Sequence, residues 1–289
     1  MRLLTAILTC HALDYWMDDL TVDYATQKGW RTMDQPARVN TIRETWLRDL
    51  YDTLDAEFTV AHKFFYGSKL RRTDVKPNQR PGTEKPAAAL REPLADEVFL
   101  PCGDNYTQNP EKMKAICRYA LAHGYDYLLR TDDDTFVYPD RLLVKDRALW
   151  EGKDYVGSSN KDFHPGGCLI LSKAAMQIIV DARITGYADD VWIGKVMEEH
   201  GIEMTQLPTM HNKWGDGYLV VPRSLPVDKL SSFHSCKPQV MRELYGMRTK
   251  HPIAVSEVKE EDAKVHTDNS DVMSLLAGED VPVSGVANQ

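Results

Sequence analysis

Asp132, Asp133 and Asp134 stand in a row inside LLRTDDDTFVYPD (residues 128–140), directly after an apolar run. Three adjacent carboxylates repel one another, so something must offset them: water around an exposed turn, or a divalent cation with the substrate it carries. Carboxylate oxygens are hard donors suited to Mg2+ or Mn2+, and two or three on one turn can hold such an ion. Three further stretches carry groups of chemical interest. HPGGCLILS (164–172) sets Gly166 and Gly167 ahead of an apolar run, where paired glycines either make a bend or let main chain approach a ligand. ADDVWIG (188–194) puts Asp189 and Asp190 at a helix start. There they project about 100° apart, so one can face a cleft while the other braces, although both also complement the positive end of the helix dipole. SSFHSCK (231–237) places His234 between Phe233 and Ser235, either as a satisfied structural group or as a borderline donor for Mn2+.

These residues need a scaffold, and the pattern along the chain supplies one. LLTAILTC reads as a strand buried on both faces. QPARVNTIRETWLRDLYDTL has Val39, Ile42, Trp46, Leu50 and Leu54 at helical spacing, and AEFTVAHKFFYG is a second strand closed by Gly67. DEVFLPCGD is a third strand, followed by a helix over NPEKMKAICRYALAHG with Pro110 at its start and Gly124 at its stop. YDYLLR is the fourth strand and delivers the aspartates; YPDRLLVKDRALW reads as helical and DYVGSS as a short strand. GGCLILSKAAMQIIVDA runs from strand to helix with Ser172 as the N-cap. YADDVWIGKVMEEHG is another helix and IEMTQLP another strand. Strands alternating with helices predict an α/β fold, a mostly parallel central sheet flanked by helices. In such sheets ligands sit at the carboxyl ends of the strands, where the aspartates are.

The chain has 289 residues, 43% hydrophobic and 27% charged, values ordinary for a globular protein. Its formal net charge is −8, and eight acidic residues against two lysines from Pro252 onward account for −6 of that. The body is thus nearly neutral, which argues against a protein living on phosphate-backbone contacts. Residues 1–250 are expected to form one domain and 251–289 an acidic, disordered tail. Five scattered cysteines without a CxxC pair suggest neither a zinc site nor a disulfide framework and fit a reducing compartment. No P-loop and no G-x-G-x-x-G opens a helix, so ordinary ATPase and dinucleotide cradles are missing. Arg71–Leu94 is rich in proline and charge and reads as a long surface loop with a basic balance.

Taken together and in order, RVNTIRETW, GDNYTQNPEKMK, YDYLLRTDDDTFVYPDRL, HPGGCLILS, ADDVWIG and FHS resemble the inverting β-1,3-glycosyltransferases of family 31, the family of Fringe and the β-1,3-galactosyltransferases. The similarity spans residues 1 to about 245. It implies a GT-A type fold and a hexosyltransferase that takes a UDP-sugar with Mn2+ (or Mg2+) and joins the sugar to a glycan or other hydroxyl-bearing acceptor. By that resemblance Asp134 and His234 are metal ligands, while Asp132 and Asp133 serve the ribose and the waters of the metal. Asp190 is the general base, with Asp189 beside it toward the substrate. Thr9, Arg43 and Lys112 belong to the donor-binding or supporting set, and Gly166 and Gly167 line the sugar. Trp192 either stacks on a sugar face or belongs to the core.

Eukaryotic members carry a membrane anchor and disulfides, and this sequence shows neither, so a soluble cytoplasmic enzyme without a transmembrane anchor is the expectation. The acceptor is then open, and a modified nucleic-acid base is one alternative, with the basic Arg71–Leu94 loop facing it. Two rival classes are a catalytically inactive sugar- or nucleotide-binding scaffold, and a metal-dependent phosphotransferase using the same aspartates. The latter leaves ADDVWIG and FHS without a role.

Overall fold

In a computed structural model of the chain, residues 1–10, 35–52, 58–69, 92–104, 108–158, 163–211 and 227–249 are described. The apolar run after Met1 forms β1 (Arg2–Leu8), buried along nearly its whole length. It lies beside the central strand β4 of a seven-stranded sheet of order β3-β2-β1-β4-β7-β6-β8. The other members are β2 (Thr59–Lys69), β3 (Glu97–Gly103), β4 (Tyr127–Asp132), β6 (Tyr155–Gly157), β7 (Cys168–Ser172) and β8 (Met204–Gln206). β1 to β4 run parallel, as do β6 and β8, while β7 is antiparallel to both of its neighbours. This is the expected α/β architecture with one strand reversed. The reversal matters, because β7 begins where β4 ends: Cys168 is level with Thr131. Gly166 and Gly167 therefore arrive beside the aspartate turn.

Alternation along β1 and β4 divides the core into two layers. Leu3, Ile7, Leu129 and Ile170 face α1 (Gln35–Glu44) and the C-terminal α6 (Pro238–Thr249), whose Val240, Met241 and Leu244 are buried. Leu4, Ala6, Leu8, Leu128 and Leu169 face α2 (Asn109–Ala122), α4 (Lys173–Asp181) and α5 (Asp189–Glu199). α2 has Pro110 in its first turn and stops at Gly124, whose φ of +71° suits glycine. Ser172 caps α4 by accepting from the Ala175 N–H at 3.2 Å.

Some boundaries differ from expectation. α1 is shorter, giving way after Glu44 to turns in which N–H groups bond three residues back. Leu54 and residues 70–91 of the basic loop lie outside the described residues, as does the acidic stretch from residue 250. The YPDRLLVKDRALW segment is helical but broken into a π-turn (Asp140–Lys145) and α3 (Arg147–Trp150). A second small sheet has no counterpart in the sequence reading: β10 (Ser232–Phe233) between β5 (Phe136–Val137) and β9 (Met210–His211). Among the described residues no helix is long and apolar enough to cross a membrane.

Candidate active site at the end of β4

The three aspartates are not equivalent. The turn is closed by Asp133 N–H donating to Leu8 O at 3.1 Å and Thr135 N–H donating to Asp132 O at 3.1 Å. β4 ends at Asp132, and in the turn that follows Asp133 points inward while Asp132 and Asp134 face the other way. It is 5% exposed, and its Oδ1 accepts from Arg38 Nη1 and its Oδ2 from Thr9 Oγ1, both at 2.8 Å. Burial pushes the Asp133 carboxyl up, and Arg38 and Thr9 restrain the rise. Asp132 and Asp134 stay half-buried and face His234, whose Nε2 lies 3.6 Å from Asp132 Oδ2 and 3.1 Å from Asp134 Oδ1.

His234 is brought there by the small sheet. Phe233 pairs with Phe136, His234 N–H donates to His211 O at 3.1 Å, and Cys236 N–H donates to Asp134 O at 2.8 Å. One ligand atom each from Asp132, Asp134 and His234 lies within 4.8 Å of the others. Two hard oxygens and one imidazole nitrogen facing one point could hold a divalent transition-metal ion such as Mn2+. The electrostatics agree with a place prepared for positive charge. Burial raises Asp132 to about 6, as does Asp134 beside it, against the opposing pull of Arg130 and His234. Burial works against ionised Asp134 too, but His234 and Arg38 hold it below the usual carboxylate range. Burial alone would lower His234, yet Asp134 and Asp132 raise it, which favours a protonated imidazole between them.

The glycine pair closes over this cluster. A Cβ on Gly167 would lie 2.4 Å from His234 Cγ, and one on Gly166 2.6 Å from Arg130 Nη1. The two missing side chains thus make room for an imidazole and a guanidinium. Gly167 O accepts from Thr135 Oγ1 at 2.6 Å, which ties the pair to the turn. Gly166 N–H donates to Asp190 Oδ2 at 3.2 Å, and Val191 N–H donates to Asp190 Oδ1 at 2.8 Å. Asp190 is 8% exposed, and burial with Asp189 beside it pushes its carboxyl up while Arg130 opposes.

The structure therefore gathers Asp132, Asp134, His234, Gly166, Gly167, Asp189 and Asp190 at one end of the sheet, with Thr9 and Asp133 bonded to each other beneath. Three residues of the expected set make their contacts within the protein, Lys112 and Arg43 as supports and Trp192 in the core. Lys112 is 1% exposed, donating to Thr9 O at 2.7 Å and Asp104 Oδ1 at 2.8 Å, a buried brace between β1 and the end of β3. Trp192 is 1% exposed and its indole N–H donates to Arg183 O at 3.0 Å, so its ring faces the core. Arg43 pairs with Asp96 and Glu97 at the start of β3, two strands across from β1. Thr9 and Arg38 both donate to Asp133, so Thr9 and Asp133, also of the expected set, bond within the protein as well. Two arginines were missed. Arg38 lies five positions before Arg43 on α1 and holds the turn. Arg130, in the middle of a buried strand, was legible as an anomaly, since a charge there requires carboxylate partners.

No protein-family profile matches the chain, and no curated protein matches it. Among solved structures, one similar chain is a proposed nucleotide-diphospho-sugar transferase from Desulfovibrio desulfuricans G20. It shares 16% identity over 71% of this chain and 79% of that one, with a TM-score of 0.36. What this chain does is therefore read from its own side chains.

Proposed function

We propose that this chain is an inverting glycosyltransferase that moves a hexose from a UDP-sugar to an acceptor hydroxyl, forming a β-glycoside. Residues 1–250 are its catalytic unit of GT-A type, and family 31 is the resemblance that frames it. The observation that carries the reading is the pairing of two different acidic sites across one glycine turn. On one side Asp132, Asp134 and His234 face a single point; on the other stands Asp190, a separate buried carboxylate.

A divalent cation held by Asp132, Asp134 and His234 would neutralise charge on the departing diphosphate. Asp190 takes the proton of the acceptor hydroxyl as its oxygen attacks the anomeric carbon from the face opposite the leaving group. The main-chain N–H groups of Gly166 and Val191 each occupy one lone pair of Asp190 and fix its plane. Each oxygen keeps a second lone pair for the substrate. The upward push on Asp190 strengthens it as a base while the neighbouring guanidinium keeps it ionisable. Gly167 leaves His234 the space to hold its orientation.

Calorimetric titration of the full chain with UDP, with and without MnCl2, tests the reading. UDP binding should strengthen about tenfold or more with Mn2+, and His234→Ala should remove most of that gain. Asp190→Asn should keep the metal-linked binding and lose transfer by roughly 100-fold or more. UDP binding indifferent to Mn2+ in the wild-type protein would refute the proposal.

A further inference from the structure

Arg130 stands in the middle of β4, 2% exposed, on the face of the sheet covered by α5. Its Nη2 donates to Asp189 Oδ2 at 2.9 Å and lies 3.0 Å from Asp132 Oδ1. One nitrogen thus touches a carboxylate of the cation turn and a carboxylate of the helix that carries Asp190. Nε and Nη1 have no hydrogen-bond partner among the described residues. Gly166 closes over the group, since a Cβ there would come within 2.6 Å of Nη1, and the same glycine donates to Asp190.

For stability alone this is a poor arrangement. A buried ion pair replaced by well-packed apolar residues is often neutral or more stable, and idle buried donors are costly. Leu128 and Leu169, close by on the same face, show what a purely structural solution would be. We propose that Arg130 is a positioning residue that ties the cation turn to the start of α5, fixing the spacing and charge balance between the two halves of the reaction centre. The mechanistic part of this inference rests on the transferase reading given above.

The charged and titratable groups facing Asp190 are Asp189 from its own helix, Arg130 from β4 and Tyr155 from β6, whose ionisation burial suppresses. Arg130 is the cation of the set. Without it Asp189 and Asp190 would repel each other in a buried place, and Asp190 would hold its proton to higher pH. Lysine at position 130 would restore the charge, but its side chain is one bond shorter and would not carry its nitrogen to the place Nη2 holds between the two carboxylates.

The test uses the full chain as wild type, Arg130→Gln, Arg130→Lys and Gly166→Ala. Aspartate carboxyl 13C signals are followed against pH, with Asp190 assigned from Asp190→Asn. The Asp190 midpoint should rise by about one pH unit or more in Arg130→Gln, and most of that rise should be reversed in Arg130→Lys. Arg130→Lys should still lose about tenfold or more in kcat, with the donor KM within about threefold, because the tie is broken. Should Arg130→Gln fail to fold, Gly166→Ala leaves every charge in place and displaces the guanidinium, and the midpoint should again rise. An Asp190 midpoint that stays put, or wild-type kcat in Arg130→Lys, overturns the proposal. If the wild-type protein turns over no sugar nucleotide, the transferase reading falls, and the carboxyl titration still decides the role of Arg130.

Discussion

Thr9→Val separates a brace from a substrate contact. Valine matches threonine in volume, so no cavity opens, and the main-chain bonds of residue 9 to Phe65 O and from Lys112 Nζ persist. The change removes one donor, Oγ1, from Asp133 Oδ2, leaving that oxygen of a 5% exposed carboxylate unsatisfied. Orphaning a buried acceptor costs about 1–3 kcal/mol, more toward the upper end for a charged one, so about 2 kcal/mol is expected. For a domain of this size that is a Tm drop of roughly 4–8 °C. The loss has a pH signature. Burial already raises the Asp133 carboxyl, so its ionisation costs stability as pH rises through the folded pKa. The Thr9 hydroxyl favours the ionised form, and valine raises that pKa further. The gap between wild type and variant is therefore widest above the folded pKa and narrows as pH falls and Asp133 becomes protonated. Urea unfolding at several pH values, with the slope checked for constancy, measures the gap, and calorimetry with Mn2+ and UDP measures the site. A brace predicts lower stability with UDP affinity within about threefold, since no donor to substrate was removed. An unmoved urea midpoint with UDP affinity down tenfold would refute the reasoning and return Thr9 to the substrate.

Gly167→Ala places a methyl 2.4 Å from His234 Cγ and must turn the ring; Mn2+ affinity, read from the spectrum of free Mn2+, should fall roughly 10–100-fold, and unchanged affinity would show that the ring orientation is immaterial. His164 is fully buried and its Nδ1 must be the protonated nitrogen, because Ser158 O can only accept. Burial lowers its pKa, so below about pH 6.5 the unfolded chain takes up a proton that the folded one refuses, and stability falls with pH; His164→Asn, which can keep a donor toward Ser158, should flatten that slope in urea unfolding between about pH 7.5 and 5.5, and an unaltered slope would place the titration elsewhere.

What was legible in the sequence was what local pattern encodes. The apolar run of β1, the Pro110 and Gly124 limits of α2, the Ser172 cap and the acidic start of α5 all depend on neighbours a few positions away. The small sheet was not legible because its two-residue strands are too short to show alternation, yet it is what brings His234 to the aspartates. The arginines illustrate the limit well. Arg38 and Arg43 are five residues apart on one helix, about 140° around its axis, so they serve different parts of the molecule. Arg38 reaches Asp133, 95 positions on, while Arg43 reaches Asp96 and Glu97. Nothing in their local sequence says which faces the site. Lys112 and Trp192 stay open in the sequence for a related reason: a lysine or tryptophan near an acidic motif has the same one-letter signature whether it meets solvent, ligand or core.

The row of aspartates combines both kinds of information. Charge repulsion alone requires some compensation for Asp132, Asp133 and Asp134, and the turn that follows β4 points the middle one away from its neighbours. Which compensation each receives depends on contacts far apart in the chain: Thr9 and Arg38 for the inward carboxylate, His234 for the outward pair, with Arg130 against Asp132 and Arg38 reaching Asp134. A solvated acidic turn would need neither a buried arginine beneath it nor an imidazole held against it by a separate sheet. The fold buries one carboxylate against Arg38 and Thr9 and leaves the other two half-buried, converging on Nε2 of His234. That asymmetry is the reason to read the turn as a cation site, and it would vanish if all three side chains simply faced water.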